Sequence, residues 1–151
     1  MNLAEANTLI IQAFAKHNLF SKGWSFEWDN AKTRFGCCRY SRKLITMSSI
    51  LVELNSELEV RDTILHEIAH ALVGPAHWHN DIWKAKAAQI GAQPVRAISS
   101  DDVKKPAGKY IGRCVGCGLE EYRYRKIKPG EYEHTDCKRL GREAKIEWRK
   151  A

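Results

Sequence analysis

His66-Glu67-Ile68-Ala69-His70 is the feature that most constrains this chain, because its chemistry needs a helix beneath it. Residues four apart lie on one helix face, so two imidazoles at that spacing can grip one metal ion. Glu67 stands beside that face and can act as general base on a water molecule at the same ion. The flanking pattern agrees. Val60, Ile64, Leu65, Ile68, Ala69, Ala71 and Leu72 recur at helical spacing, Asn55 and Ser56 are good capping residues, and Gly74-Pro75 ends the run. In a chain of this composition, chance produces such a pentapeptide only about 2% of the time.

A catalytic metal usually takes three protein ligands and keeps one position open. The candidates downstream are His77 and His79, in Ala76-His77-Trp78-His79-Asn80. A second helix is predicted from about Asp81 to Ile90, closed by Gly91. His79 heads that helix, with Trp83 four residues on to buttress it, which favours His79. His77 is then a substrate-side group or an ordinary loop histidine. His17, in the first predicted helix, and His134, among the tail cysteines, are poorer candidates.

The remaining pattern is mixed. Leu3, Ala6, Leu9, Ile10, Ala13 and Phe14 predict an amphipathic amino-terminal helix rather than a leader peptide. Trp24–Tyr40 alternates aromatic and polar residues around Asp29-Asn30, which predicts a hairpin, and Lys43–Met47 reads as a further strand. The expected class is α+β, with helices on a small sheet and the motif helix at its centre. No apolar run approaches the ~18–20 residues a membrane span needs. Five cysteines, an odd number, argue against a secreted disulfide framework, so an intracellular protein is expected. Adjacent Cys37 and Cys38 have no partners at ligand spacing and read as packing residues.

The other three cysteines form a second constellation. Cys114-x₂-Cys117 and His134-x₂-Cys137 have the spacing of a two-knuckle zinc ribbon. Three thiolates and one imidazole close a tetrahedron, so this zinc would be structural, while the histidine site would be catalytic. The expectation is two zinc ions per chain. A segment so polar has too little apolar surface to fold alone, and a metal would supply the missing free energy.

The net charge of +7 lies wholly in the last third, because acidic and basic residues balance over 1–103. That asymmetry, with the polar stretch Ala97–Gly108, predicts a catalytic domain over 1–103 and a basic ribbon over 104–151. In the ribbon Glu121–Ile127 alternates like a strand, and Arg123, Arg125, Lys126 and Lys128 interleave with Tyr122 and Tyr124, with Trp148 further on. Cations among aromatics suit a nucleic-acid strand, single or at a junction, with charges on phosphates and rings free to stack on open bases. A solvated basic face is the plainer alternative.

The stretch from His66 through His79-Asn80-Asp81-Ile82-Trp83 to Ala92 resembles the SprT-like metallopeptidase family, relatives of the protease Spartan. Phe35-Gly36 and Leu44–Ser48 resemble the family's strand before the motif helix, and the likeness runs from about Leu3 to Leu140. The resemblance implies a zincin-like core with His66, His70 and His79 on zinc, Glu67 as catalytic base, and endopeptidase action on DNA-associated or DNA-crosslinked proteins. The sequence departs from the family pattern twice: Asn80 stands where a glycine is usual, and His134 where a cysteine is common. The rival reading is a zinc-stabilised nucleic-acid-binding protein whose first metal site is inactive or not a peptidase.

Overall fold

The computed structural model describes residues 1–93, 103–128 and 130–151. Half of the predicted linker Ala97–Gly108, residues 97–102, therefore lies outside the described residues. The chain divides into two compact units, Met1–Pro106 and Ala107–Ala151. Both mix helices with a small three-stranded sheet. Among the described residues, no helix is long and apolar enough to cross a membrane.

The first unit opens with α1 (Leu3–Lys16), capped by the Asn2 carboxamide, which accepts from Glu5 N–H at 2.8 Å. Its Ala6, Ile10 and Phe14 are buried at four-residue spacing. Strands β1 (Ser25–Asp29), β2 (Gly36–Arg39) and β3 (Leu44–Ser48) follow, then the short helix α2 (Ser49–Leu54), the motif helix α3 (Glu57–Val73) and α4 (Asp81–Ile90). Ile45 and Met47 of β3 pack with the α1 residues and with Val60, Ile64 and Ile68 of α3 in one core. Ser56 caps α3: its backbone N–H and its hydroxyl both donate to the Glu59 carboxylate at 2.6 Å.

The hairpin expected over Trp24–Tyr40 does not form. β3 lies between the two strands, parallel to β1 and antiparallel to β2. The reason is burial. Every residue of Leu44–Ser48 is buried, and a strand covered on both faces belongs in the centre of its sheet, with neighbours on each edge. β2 joins β3 instead, through a single 3₁₀ turn at Tyr40–Arg42 that ends on Lys43 in the left-handed region. β2 is thus an edge strand, and it packs against α3.

In the second unit β4 (Tyr110–Cys114) pairs antiparallel with both β5 (Glu120–Arg123) and β6 (Ile146–Lys150), while the short helix α5 (Thr135–Arg139) carries Cys137. β5 stops short of the predicted Ile127 because its partner runs out: Arg123 already faces Tyr110, the first residue of β4.

Candidate metal centres

α3 presents His66 and His70 one turn apart, and the chain then turns back through Gly74–Asn80 to bring in His79. The Nε2 atom of His79 lies 3.0 Å from that of His70 and 3.1 Å from that of His66. Nitrogens held on one zinc at ~2.0–2.1 Å in a tetrahedron sit roughly 3.4 Å apart, so the three converge closely enough to share an ion. Burial first, and then the neighbouring imidazoles, push His66 down to about 3 and His70 down to about 4. Both rings are therefore held neutral, the form that ligates metals.

Trp83 makes the floor. It is fully buried, with its ring 4.6 Å from His66, 5.0 Å from His70 and 4.5 Å from His79. His79 does not head α4; it stands one residue before the cap with φ +47°, a left-handed conformation. Asn80 is the cap, its side chain accepting from Ile82 and Trp83 N–H at 3.1 Å. The departure from glycine at this position thus has a local role: Asn80 starts the helix that carries Trp83. His77 is outside the cluster, with Nδ1 3.2 Å from the Asn80 amide nitrogen.

Glu67 is buried at 8% exposure between α3 and β2. Burial pushes its carboxyl up to about 8, against the pull of the Arg34 charge and of the Cys38 backbone N–H. Gly36 leaves it room: a Cβ there would fall 2.8 Å from Glu67 Cγ and 2.9 Å from Oε1. Arg34, Gly36 and Cys38, every second residue of one segment, thus supply charge, space and an N–H to one carboxylate. None of these three was singled out by residue pattern, because each acts across 29 to 33 positions of sequence. A cavity of about 340 Å³ opens beside His66 and Glu67 and is also lined by Arg34, Thr63 and, further along the chain, Val103 and Lys105. The Asn55 carboxamide holds Lys104 by both backbone groups, at 2.8 and 2.9 Å, so 103–105 belong to the wall of the first unit. The unit ends at Pro106, three residues past the boundary drawn from charge.

The second centre gathers Cys114, Cys117, His134 and Cys137. The Cys114 and Cys137 sulfurs are 3.7 Å apart, and His134 Nδ1 lies 3.4 Å from the Cys117 sulfur and 3.1 Å from that of Cys137. Sulfurs on one zinc at ~2.3 Å would sit roughly 3.8 Å apart, so this set also fits the ion. Burial raises the Cys114 thiol, but the N–H groups of Cys117 and Gly116 outweigh it and draw it down to about 7. Gly118 completes that knuckle at φ +75°, its N–H on the Cys114 carbonyl at 2.8 Å. Both knuckles are tied to the two residues that lead into β6: Val115 N–H donates to the Lys145 carbonyl and His134 N–H to the Ala144 carbonyl.

The basic and aromatic residues of the ribbon do not form one patch. Trp148 and Arg123 share a sheet face, and Tyr122 lies on the other, as the register across β4 dictates. Arg123 is ion-paired with Glu121 at 2.9 Å, and Arg125 with Glu131 at 3.5 Å. Lys126 and Lys128 are exposed, Tyr122 is exposed, and Tyr124 is half-buried.

A helix carrying two histidines and a glutamate, with a third histidine brought in by the following loop, defines a candidate metal centre of metallopeptidase type. The chain belongs to the SprT-like family, which it matches over residues 4–104. That family is associated with metallopeptidase-like activity. A search of curated proteins returned no match.

Proposed function

We propose that this protein is a zinc-dependent endopeptidase with a zincin-like catalytic unit and a structural zinc ribbon, acting on DNA-associated or DNA-crosslinked proteins inside the cell. The observation that carries the reading is the convergence of three imidazole Nε2 atoms on the helix that also carries a buried glutamate beside them. A purely structural site would need no such carboxylate.

His66, His70 and His79 would hold the catalytic zinc, and Cys114, Cys117, His134 and Cys137 the structural one. A zinc ion with an open position supplies Lewis acidity, making water more acidic and polarising a carbonyl. Glu67, in the carboxylate form that a cation on the neighbouring imidazoles would favour against burial, accepts the proton as the water oxygen bonds to the scissile carbonyl carbon. It then delivers that proton to the amide nitrogen as the carbon–nitrogen bond breaks, leaving a carboxylic acid and an amine. The Cys38 N–H and the space above Gly36 fix the carboxylate for both transfers. Trp83 keeps the three rings in place and shuts water out behind them.

DNA is the proposed partner of the basic ribbon, supported by the charge asymmetry and by exposed Lys126 and Lys128. Cleavage of a protein substrate should be abolished by chelation and return with added zinc, and should be compared with and without single-stranded DNA. Proteolysis indifferent to chelation would refute the zinc peptidase reading. DNA binding with no proteolysis in the zinc-loaded protein would favour the rival binding module.

A further inference from the structure

We infer that Arg34 is a catalytic residue of this centre, placed to receive the negative charge that develops on the scissile carbonyl oxygen. The inference deepens the peptidase reading and rests on it. Arg34 lines the same cavity as His66 and Glu67, and its side chain is half exposed there. Its guanidinium is held from behind. One nitrogen, Nη2, donates to Asp29 Oδ2 at 2.6 Å. Asp29 is itself fixed by Thr46 Oγ1 at 2.9 Å and by the Ala31 N–H at 2.9 Å.

That arrangement is more than a surface ion pair needs. A half-exposed pair contributes about 0–1 kcal/mol, yet here an acid anchored to the central strand positions one edge of the guanidinium. The other N–H groups of the fork have no protein partner among the described residues. They are donors with fixed direction in a cavity that also holds the proposed base. As water adds to the carbonyl carbon, the carbonyl π pair moves onto oxygen, and Arg34 donates to that oxygen without itself giving up a proton. When the carbon–nitrogen bond breaks, the pair returns to the carbonyl. Such a donor stabilises the transition state more than the bound peptide, because full charge appears only on addition. It also recognises main chain rather than a side chain.

The test uses the zinc-loaded full-length protein and a phosphinic peptide, whose tetrahedral anion imitates the addition step. Arg34→Met should retain zinc, keep KM within about threefold and lose kcat by on the order of 10²-fold. Its affinity for the phosphinic peptide should fall by a similar factor. Affinity of Glu67→Gln for the matching uncharged peptide should be unchanged when Arg34→Met is added. Arg34→Lys, which keeps charge but not the fork, should fall between wild type and Arg34→Met, and Asp29→Asn should lower kcat by loosening the fork. Equal losses for the uncharged and phosphinic peptides, or unchanged phosphinic affinity in Arg34→Met, would overturn the assignment. If Arg34→Met fails to fold, Arg34→Lys decides: wild-type kcat and phosphinic affinity there would overturn it. A wild-type protein that neither cleaves nor binds the phosphinic peptide would instead sink the peptidase reading.

Discussion

Gly36 and Glu67 occupy adjoining space so closely that a single methyl group would force one of them to move. The ideal Cβ at Gly36 lies 2.8 Å from Glu67 Cγ and 3.1 Å from Thr63 Cγ2. The near atoms include the middle of a buried side chain, so relief requires the carboxylate to shift or β2 to back away. Gly36→Ala should therefore lower kcat at least tenfold while retaining zinc, since no ligand is touched. Metal analysis alongside turnover checks this. Full activity in Gly36→Ala would mean that Glu67 is not held by this contact.

The third ligand can be separated from its neighbour. His79→Ala should lose the catalytic zinc and proteolysis, because it removes an atom 3.0–3.1 Å from both other Nε2 atoms. His77→Ala should keep the zinc and most of the rate, since the His77 ring meets Asn80 and lies outside the histidine cluster among the described residues. Elemental analysis should find two zinc ions in wild type and one in His79→Ala. The reverse pattern for the two variants would show that the loop rearranges.

Asp29 gives a pH prediction. Burial raises its carboxyl, but the Ala31 N–H, the Thr46 hydroxyl and Arg34 outweigh burial and hold it below the usual carboxylate range. A depressed folded-state value means stability that is present above the unfolded value of about 3.9 and lost as pH falls through the folded one. Asp29→Asn should thus lower Tm relative to wild type at pH 7, and the gap should close below about pH 4. Comparing two proteins cancels the metal loss that both suffer in acid. A gap independent of pH would show that the Asp29 charge contributes nothing.

Binding of DNA should depend most on ribbon cations such as Lys126 and Lys128, which are exposed and have no ion-pair partner among the described residues. Lys126→Glu with Lys128→Glu should weaken affinity for a fluorescent single-stranded oligonucleotide and flatten its salt dependence by a slope of about 1–2. Reversing Arg123 and Arg125, each already opposite a glutamate, should do less. Tyr122 and Trp148 lie on opposite faces of the sheet, so only one of them should matter for stacking. Equal effects from both lysine and arginine pairs, or none from either, would reduce the ribbon's charge to a solvated surface.

Much of this could be read along the chain where the signals are local. α3 is bounded by Ser56 and Gly74, and α4 is closed by Gly91, because caps and stops are written within a few residues. The metal-ligand spacings are similarly compact. The sheet was not legible in the same way. Asp29-Asn30 looks like a turn, yet Asp29 ends β1 and anchors Thr46 on the strand that comes between. Only the continuous burial of Leu44–Ser48 decides that order, and burial is a property of the folded chain. α5 and β6 carry too little periodicity to read, since their positions follow from the knuckles. Arg34, Gly36 and Cys38 acquire their meaning from one carboxylate on a distant helix, and no spacing rule predicts it.

Glu67 is proposed to transfer protons beside a zinc ion that it does not ligate. Turnover and metal content of wild type and Glu67→Gln, measured side by side on one protein substrate, test it most directly. Glutamine is close in size and keeps the polar contact with β2, so the fold and the three imidazoles stay as they are. Both proteins should hold two zinc ions, and turnover should be at least 10²-fold lower in the variant. Wild-type turnover in zinc-loaded Glu67→Gln would contradict that role, and so would loss of the catalytic zinc, which would make Glu67 a ligand rather than the base.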